Sequence, residues 1–350
     1  MPTSAHKPAR KPTINDVAAR AGVSKKTVSR VINGSPGLTL AMQERVQNAI
    51  AALGYVPNPQ ARALAFGRNL AIALLHDNPN AQTVLNFERG VLETIKESDL
   101  ALMVRPVDRR SPAILDDIEA FLRKQRPLGV IILPPISERD EIAELCRSMG
   151  VSFVRVGSAA LDDDDHCVTS TDRIAATEAC RLLVAAGHTR IGFVRGPQGF
   201  RSAAERELGF HAAMESAGII VPQAYCAQGD YRFESGRTAG RQLLGLPERP
   251  TAIFASNDEM AAGVMHAAFE RNLVIPRDLS LVGFDDSPTA THVWPSLTTV
   301  RWPIKEMGVL AAEKLVGSFL SKRRFSAEVV HLPAELVERG SIAPPPATGS

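Results

Sequence analysis

A chain of 350 residues, 45% hydrophobic and 22% charged, can bury a sizeable core and implies two or three soluble domains. No apolar run reaches the roughly 18–20 residues of a membrane span, and the start, MPTSAHKPARKP, has no apolar signal segment, so neither a membrane protein nor an exported one is expected. The net charge of +2 hides an asymmetry: residues 1–68 hold ten Lys and Arg against two Asp and Glu, a formal +8, and the remainder carries −6. A basic head on an acidic body implies an element for a polyanion beside a domain with another task. Cys146, Cys167, Cys180 and Cys226 make no C-x-x-C pair, which points to buried thiols in a reduced, cytoplasmic protein.

Residues 1–11 read as a basic, disordered tail. Thr13-Ile-Asn-Asp16 has the form of a capping box, in which the fourth residue reaches back to the first. Ile14, Val17, Ala18 and Ala21 then share a helical face, and Gly22 supplies a stop. Ser24 starts a second helix after one intervening residue, which is the helix-turn-helix pattern. Val28, Val31 and Ile32 form its packed back. Lys25, Lys26, Ser29 and Arg30 face outward before Asn33-Gly34 ends it. A third helix is expected from near Thr39, with Val46, Ile50 and Leu53 on one face and Gly54 closing it. Cations at the start of the second helix, with few acids nearby, predict a DNA-facing surface.

From Leu70 short apolar runs alternate with helical patterns. LAIALL, LALMV, GVIIL, VSFVRV, RIGFV, AIFAS and LSLVGF read as strands, with helices near 84–97, 113–124, 138–149, 172–186, 203–217 and 258–271. Continuous apolar strands between helices predict an α/β body of parallel sheets covered on both faces. Their number predicts two doubly wound subdomains with strand-end loops facing a cleft. LDDDDHC, 161–167, reads as a solvated loop, since adjacent aspartates repel one another. Gly-Pro-Gln-Gly, 196–199, lacks the Lys-Ser/Thr of a phosphate loop. No metal or cofactor motif and no nucleophile–base set stands out, so catalysis is not expected.

TINDVAARAGVSKKTVSRVING and LGYVPNPQARALA resemble the DNA-binding head of the lac repressor family (LacI/GalR type), and the likeness continues more weakly to about residue 340. The resemblance implies an N-terminal three-helix helix-turn-helix head plus hinge helix. A periplasmic-binding-protein-like body of two doubly wound parallel-sheet subdomains follows. The implied map is a tail at 1–11, a DNA-binding domain at 12–57, a hinge helix and linker at 58–68, an effector-binding and dimerisation domain at 69–342, and a disordered tail at 343–350. The N-subdomain covers about 69–169 and 301–326, and the C-subdomain about 170–300 and 327–342. Crossings fall near 168–171, 298–302 and 325–328.

By the same resemblance Lys25, Lys26 and Arg30 read bases in the major groove, where cations suit guanine acceptors. Thr13, Ser24, Asn33 and Thr39 contact phosphates. Asn58, Ala61 and Leu64 lie in the hinge at the minor groove, Leu64 as an apolar wedge, with Arg62 and Arg68 on phosphates. Arg206, Asn257 and Asp285 are the implied effector ligands. Asp77, beside His76 and Asn78 in an unusually long first-strand loop, joins them, with Phe200 and Trp294 as apolar platforms. The implied partners are a pseudo-palindromic operator DNA, a homodimer mate and a small effector, expected to be a sugar or related carbon source; no membrane partner is implied. Arg155 and Arg195 at strand ends keep open an acidic or phosphorylated ligand, or else make structural ion pairs; a nucleobase is another ligand choice. A repressor is the expected function, although the family contains both signs of response. A solute-binding protein for transport is the competing reading, weakened by the basic head.

Overall fold

The computed structural model describes residues 12–32, 37–55, 69–320 and 331–346, apart from the side chains of 318–320. It divides into two compact units, residues 1–70 and 71–350. Asn33, the hinge segment with Asn58, Ala61 and Leu64, the segment 1–11 and Arg68 lie outside the described residues.

The head contains α1 (Ile14–Ala21), α2 (Lys25–Ile32) and α3 (Leu40–Leu53). The Thr13 amide and hydroxyl both donate to Asp16 Oδ2, at 2.7 and 2.7 Å, which pins the first turn of α1. Gly22 ends it in the left-handed region at φ 62°. Ser24 Oγ accepts the Thr27 amide at 3.1 Å and starts α2. Val17, Ala18, Ala21, Val28, Val46 and Ala49 make the small core, with Val31, Ile32, Ile50 and Leu53 around it. The back of α2 is therefore the one that its apolar spacing predicts.

The body begins β1 (Ala71–His76), α4 (Ala81–Ile95), β2 (Ala101–Pro106), α5 (Ile114–Gln125), β3 (Gly129–Ile132), α6 (Asp140–Ser148), β4 (Ser152–Gly157) and β5 (Cys167–Ser170). It continues α7 (Asp172–Ala185), β6 (Ile191–Arg195), α8 (Arg201–Ser216), β7 (Cys226–Gln228), α9 (Phe233–Leu244), β8 (Ala252–Ala255), α10 (Asp258–Phe269), β9 (Ser280–Val282) and α11 (Pro288–His292). β10 (Thr299–Arg301), α12 (Ile304–Leu320), β11 (His331–Leu332) and β12 (Glu335–Val337) complete it.

Two parallel sheets result, in the orders β11-β5-β4-β3-β1-β2 and β7-β6-β8-β9. Both faces of each are covered, as continuous apolar strands require, except along the edge strand β2, whose residues are exposed or half-buried. Along β1, Ile72 and Leu74 point to the core shared with α4 and α12, while Ala73 and Leu75 point to that of α5 and α6. The first of these cores runs on without a break into Phe193 and Phe254 of the second sheet and Phe210 of α8. Gly90 of α4 and Gly308 of α12 permit the close approach of those helices, since a Cβ at Gly90 would lie 2.0 Å from the Lys305 carbonyl. Sequence periodicity assigns no element to 226–244, yet β7 and α9 lie there.

The chain crosses between the sheets after β5, again after β10, and a third time near its end. β11 still pairs with β5, His331 opposite Thr169, and β12 pairs antiparallel with β10, Val337 opposite Thr299. The crossing is therefore at 333–334, later than 325–328, because parallel pairing holds 331–332 on the first sheet. The first and third crossing segments bond to each other: the Thr171 amide donates to Leu332 O at 3.1 Å and the Ala334 amide to Thr171 Oγ1 at 3.1 Å. The ordered chain also passes the expected boundary at 342, because Ala343 O bonds the buried His188 ring at 2.9 Å and Ser280 Oγ at 2.9 Å.

Candidate DNA interface and effector cleft

On the head, α2 presents Lys25 and Lys26 exposed in its first turn, beside Ser24. Arg30, one turn on, is half-buried. The Ser24 hydroxyl is spent on the cap and the Thr13 hydroxyl on Asp16, while Thr39 is exposed at the start of α3. A helix N-terminus carrying two exposed ammonium groups offers both backbone amides and charge to an anion. That is the chemistry of groove-edge and phosphate contact.

In the body, the carboxyl ends of both sheets converge on a cavity lined by Asn78, Pro79, Asn80, Thr83 and Pro134 from one subdomain and Phe200, Ser202, Arg206, Tyr231, Asn257 and Asp285 from the other, with Trp302 from a crossing. Arg206 is its centre, 3% exposed. Its Nε donates to Asp172 Oδ2 at 3.1 Å and its Nη1 to Ser256 O at 2.6 Å, with Asp285 Oδ1 at 3.4 Å. The guanidinium also stacks 3.7 Å from the Phe284 ring centroid. Burial raises the Asp285 carboxyl above its ordinary range, and Arg206 only partly offsets this. Burial likewise raises its neighbour Asp258, reinforced by the Asp285 charge. Burial pushes the Tyr231 phenol up to about 12, so it stays a neutral donor and acceptor, 3.1 Å from Ser202 Oγ. The inner cavity thus combines one cation, one carboxyl and several hydroxyls and amides, with Phe200 and Trp302 as apolar walls. Such a set holds hydroxyls by paired hydrogen bonds.

A relay connects this centre to the crossings. Trp302 Nε1 donates to Ser170 Oγ at 2.8 Å, Ser170 Oγ donates to Asp172 Oδ1, and Asp172 accepts from Arg206. The Asp285 amide donates to Val300 O at 2.8 Å in the second crossing.

Arg206, Asn257, Asp285 and Phe200 are brought together in this lining. Asn257 does so with both ends committed, Nδ2 to Tyr231 O at 3.0 Å and Oδ1 to the Met260 amide at 3.0 Å. Two expected ligands are misplaced. Asp77 is outside the cavity lining; its carboxylate takes the Arg109 amide at 3.2 Å, so Asn78 represents that loop. Trp294 is 91% exposed and away from the cavity; Trp302, in the crossing, provides the ring instead. Arg155 and Arg195 are structural: Arg155 binds Asp140 at 2.8 Å and Asp162 at 3.4 Å, and Arg195 binds Glu207 at 2.7 Å. Asp162 is correspondingly not a solvated residue, since it also pairs with Arg147. Asp162, Asp163 and His166 lie close enough for an ion, but these pairings and an Asp163–His166 contact of 2.7 Å already use them. Sequence reading missed Asp172, Ser202, Tyr231 and Trp302. Asp172 and Trp302 flank the predicted crossings, which was the available signal; Tyr231, in a loop between β7 and α9, had none.

Glu138 bridges the subdomains at the mouth of the cleft, both carboxylate oxygens taking the Arg201 amide at 3.0 Å. Burial raises its pKa from 4.5 to about 7, against the pull of that amide and of Arg201, Arg155 and Arg109. Between those values the folded protein keeps a proton that the unfolded chain has lost, so stability falls as pH rises through the window. Glu138→Gln keeps an acceptor and removes the charge. Thermal melts over a pH series should show the variant more stable than the parent above about pH 7, without that fall; superimposable curves would refute this account.

A basic helix-turn-helix head beside a two-lobed body with a polar cleft defines a ligand-responsive DNA-binding regulator. Residues 13–58 match the bacterial regulatory proteins of the lacI family, and residues 180–342 match the periplasmic binding protein-like domain. The chain is 32% identical over 329 residues to the ribose operon repressor of Escherichia coli (strain K12), covering 94% of this chain and 99% of that repressor. Among solved structures it is similar to the lac repressor dimer bound to operator and the anti-inducer ONPF (28% identity, 95% and 100% of the two chains, TM-score 0.75). It is also similar to a transcriptional regulator CelR–cellobiose complex (29% identity, 94% and 99%, TM-score 0.70). The protein belongs to the LacI family; it is a DNA-binding transcription regulator, not a transport receptor. Among the described residues no helix is long and apolar enough to cross a membrane.

Proposed function

We propose that the protein is a cytoplasmic repressor without catalytic turnover, which binds a pseudo-palindromic operator as a homodimer and releases it when a polyol, a sugar or related carbon source, enters the cleft. The relay Trp302–Ser170–Asp172–Arg206–Asp285 carries this reading, because it ties the ligand-facing groups to two of the segments that join the subdomains. The free space inside the inner cavity is about 30 Å³, enough for a water or two. A sugar therefore has to part the lobes or displace side chains, which makes binding and lobe arrangement one equilibrium. Linkage then requires the effector to prefer the arrangement with low operator affinity, and operator to weaken effector binding by the same factor. The cellobiose bound to one relative supports a carbohydrate class. On the head, Lys25, Lys26 and Arg30 are assigned to bases, with G-containing half-sites. Thr13, Ser24, Asn33 and Thr39 are assigned to the backbone, and Asn58, Ala61 and Leu64 to the minor groove.

The test is a screen of sugars, sugar acids, sugar phosphates and nucleobases by thermal shift, then by operator release in fluorescence anisotropy. A true effector at 100 times its Kd should add about 2.7 kcal/mol to stability and lower operator affinity. A nucleobase that does this in place of every carbohydrate would replace the polyol reading. A protein that binds no operator would end the regulator reading.

A further inference from the structure

The mouth of the cleft differs in chemistry from its interior. A cavity of about 540 Å³ opens there, lined by Arg109, Glu138, Arg139, Gln198 and Arg201 together with the ring of Phe200. Phe200 also lines the inner cavity, so the two spaces share a wall. Arg109 and Arg139 come from the first subdomain and Arg201 from the second. Gln198 and Arg201 are exposed, and Arg109, Glu138 and Arg139 are half-buried.

The cations there are weakly committed. Arg109 Nε is 3.7 Å from Asp77 and Arg139 Nε is 3.6 Å from Glu141, both partly exposed pairs of the kind that solvent screens. Arg109 lies 4.6 Å over the Phe200 ring, a contact that favours its place at the mouth. Glu138 is the opposing carboxylate. It sits on the Arg201 amide, and its raised pKa near 7 makes it a partly neutral group at physiological pH. In the interior the Arg206 guanidinium is already committed to Asp172, the Ser256 carbonyl and Asp285, so it is not available to an added anion. Three guanidinium groups converging on one opening match the planar, bidentate recognition of carboxylate and phosphate oxygens.

We propose that the effector is an anionic polyol, a sugar acid or sugar phosphate, whose hydroxylated part enters the inner cavity and whose charged group docks at the mouth on Arg109, Arg139 and Arg201. This rests on the effector-cleft reading above and names the chemistry that the cleft selects. Docking the anion between residues of both subdomains also makes the ligand a bridge across the cleft, in competition with the Glu138 contact.

The experiment titrates full-length protein calorimetrically with matched probes: glucose, galactose, their uronates and their 6-phosphates, at low and high salt. The expected result is that at least one anionic probe binds about tenfold or more tightly than its neutral parent, with affinity falling as salt rises. Arg201→Gln and Arg139→Gln should each erase most of that preference, and melts without probe should report their folding. A neutral hexose that binds as tightly as its anions, an absence of binding by every anionic probe, or an unchanged preference in the Arg139→Gln/Arg201→Gln double variant overturns the proposal. Operator release by a neutral sugar would leave the regulator reading standing and end this one. Failure to bind operator DNA at all would end the underlying reading instead.

Discussion

Arg206→Met is expected to remove about 3–5 kcal/mol of stability from the body and to erase its response to any effector. The side chain is 3% exposed and its nearest charges are Asp172, which is fully buried, and Asp285. Methionine fills much of the volume but leaves two carboxylates without a counter-charge in a low-dielectric site. The cost is mostly that uncompensated charge rather than the worth of the ion pair itself. Losing the guanidinium, which holds the Asp285 carboxyl down, raises that carboxyl further, so the folded variant binds a proton that the unfolded chain lacks. Its deficit against the parent should shrink as pH falls and that group protonates. Urea unfolding over a pH series reads this directly, and Asp172→Asn added to Arg206→Met should recover part of the loss. Equal stability of the single variant and the parent would mean that Arg206 is not the hub of the cleft.

Lys26→Ala is expected to weaken specific operator binding by about 1–3 kcal/mol per head, and by twice that for a dimer engaging both half-sites. Lys26 is exposed in the first turn of α2, and α2 is held from behind by Val28, so truncation should not disturb the head. Non-specific affinity should fall far less, by the release of about one counterion per lost phosphate neighbour. Anisotropy titrations on operator and on random duplex, each over a salt range, separate the two. Equal losses on both duplexes would assign Lys26 to the phosphate backbone and remove its base-reading role.

The sequence reading erred where a side chain's position depends on segments distant in the chain. Trp294 and Trp302 are eight positions apart and both flank Pro, and nothing local says which ring turns inward. The structure decides it because Trp302 follows β10, where pairing with β12 fixes the chain and Ser170 accepts its indole N–H. Asp77 next to Asn78 is a similar case: Arg109, thirty-two residues on, draws the aspartate away. Helix α9 was hidden by Gly236 and Gly240, poor helix formers on propensity alone. Their missing side chains are what lets α9 lie against α10, since a Cβ at Gly236 would sit 2.2 Å from the Met260 carbonyl.

By itself the sequence determined the head and the class of the body. Those depend on short-range patterns: Thr13 and Asp16 three apart, Gly22 and Ser24 bracketing a turn, and apolar strands between helices. Only the tertiary structure decided which partners surround Arg206, where the third crossing lies, and that Arg155 and Arg195 are tied up while Arg109, Arg139 and Arg201 meet at the mouth. Burial, ion pairing and desolvation act between residues brought together through space, and local spacing along the chain carries no record of those meetings.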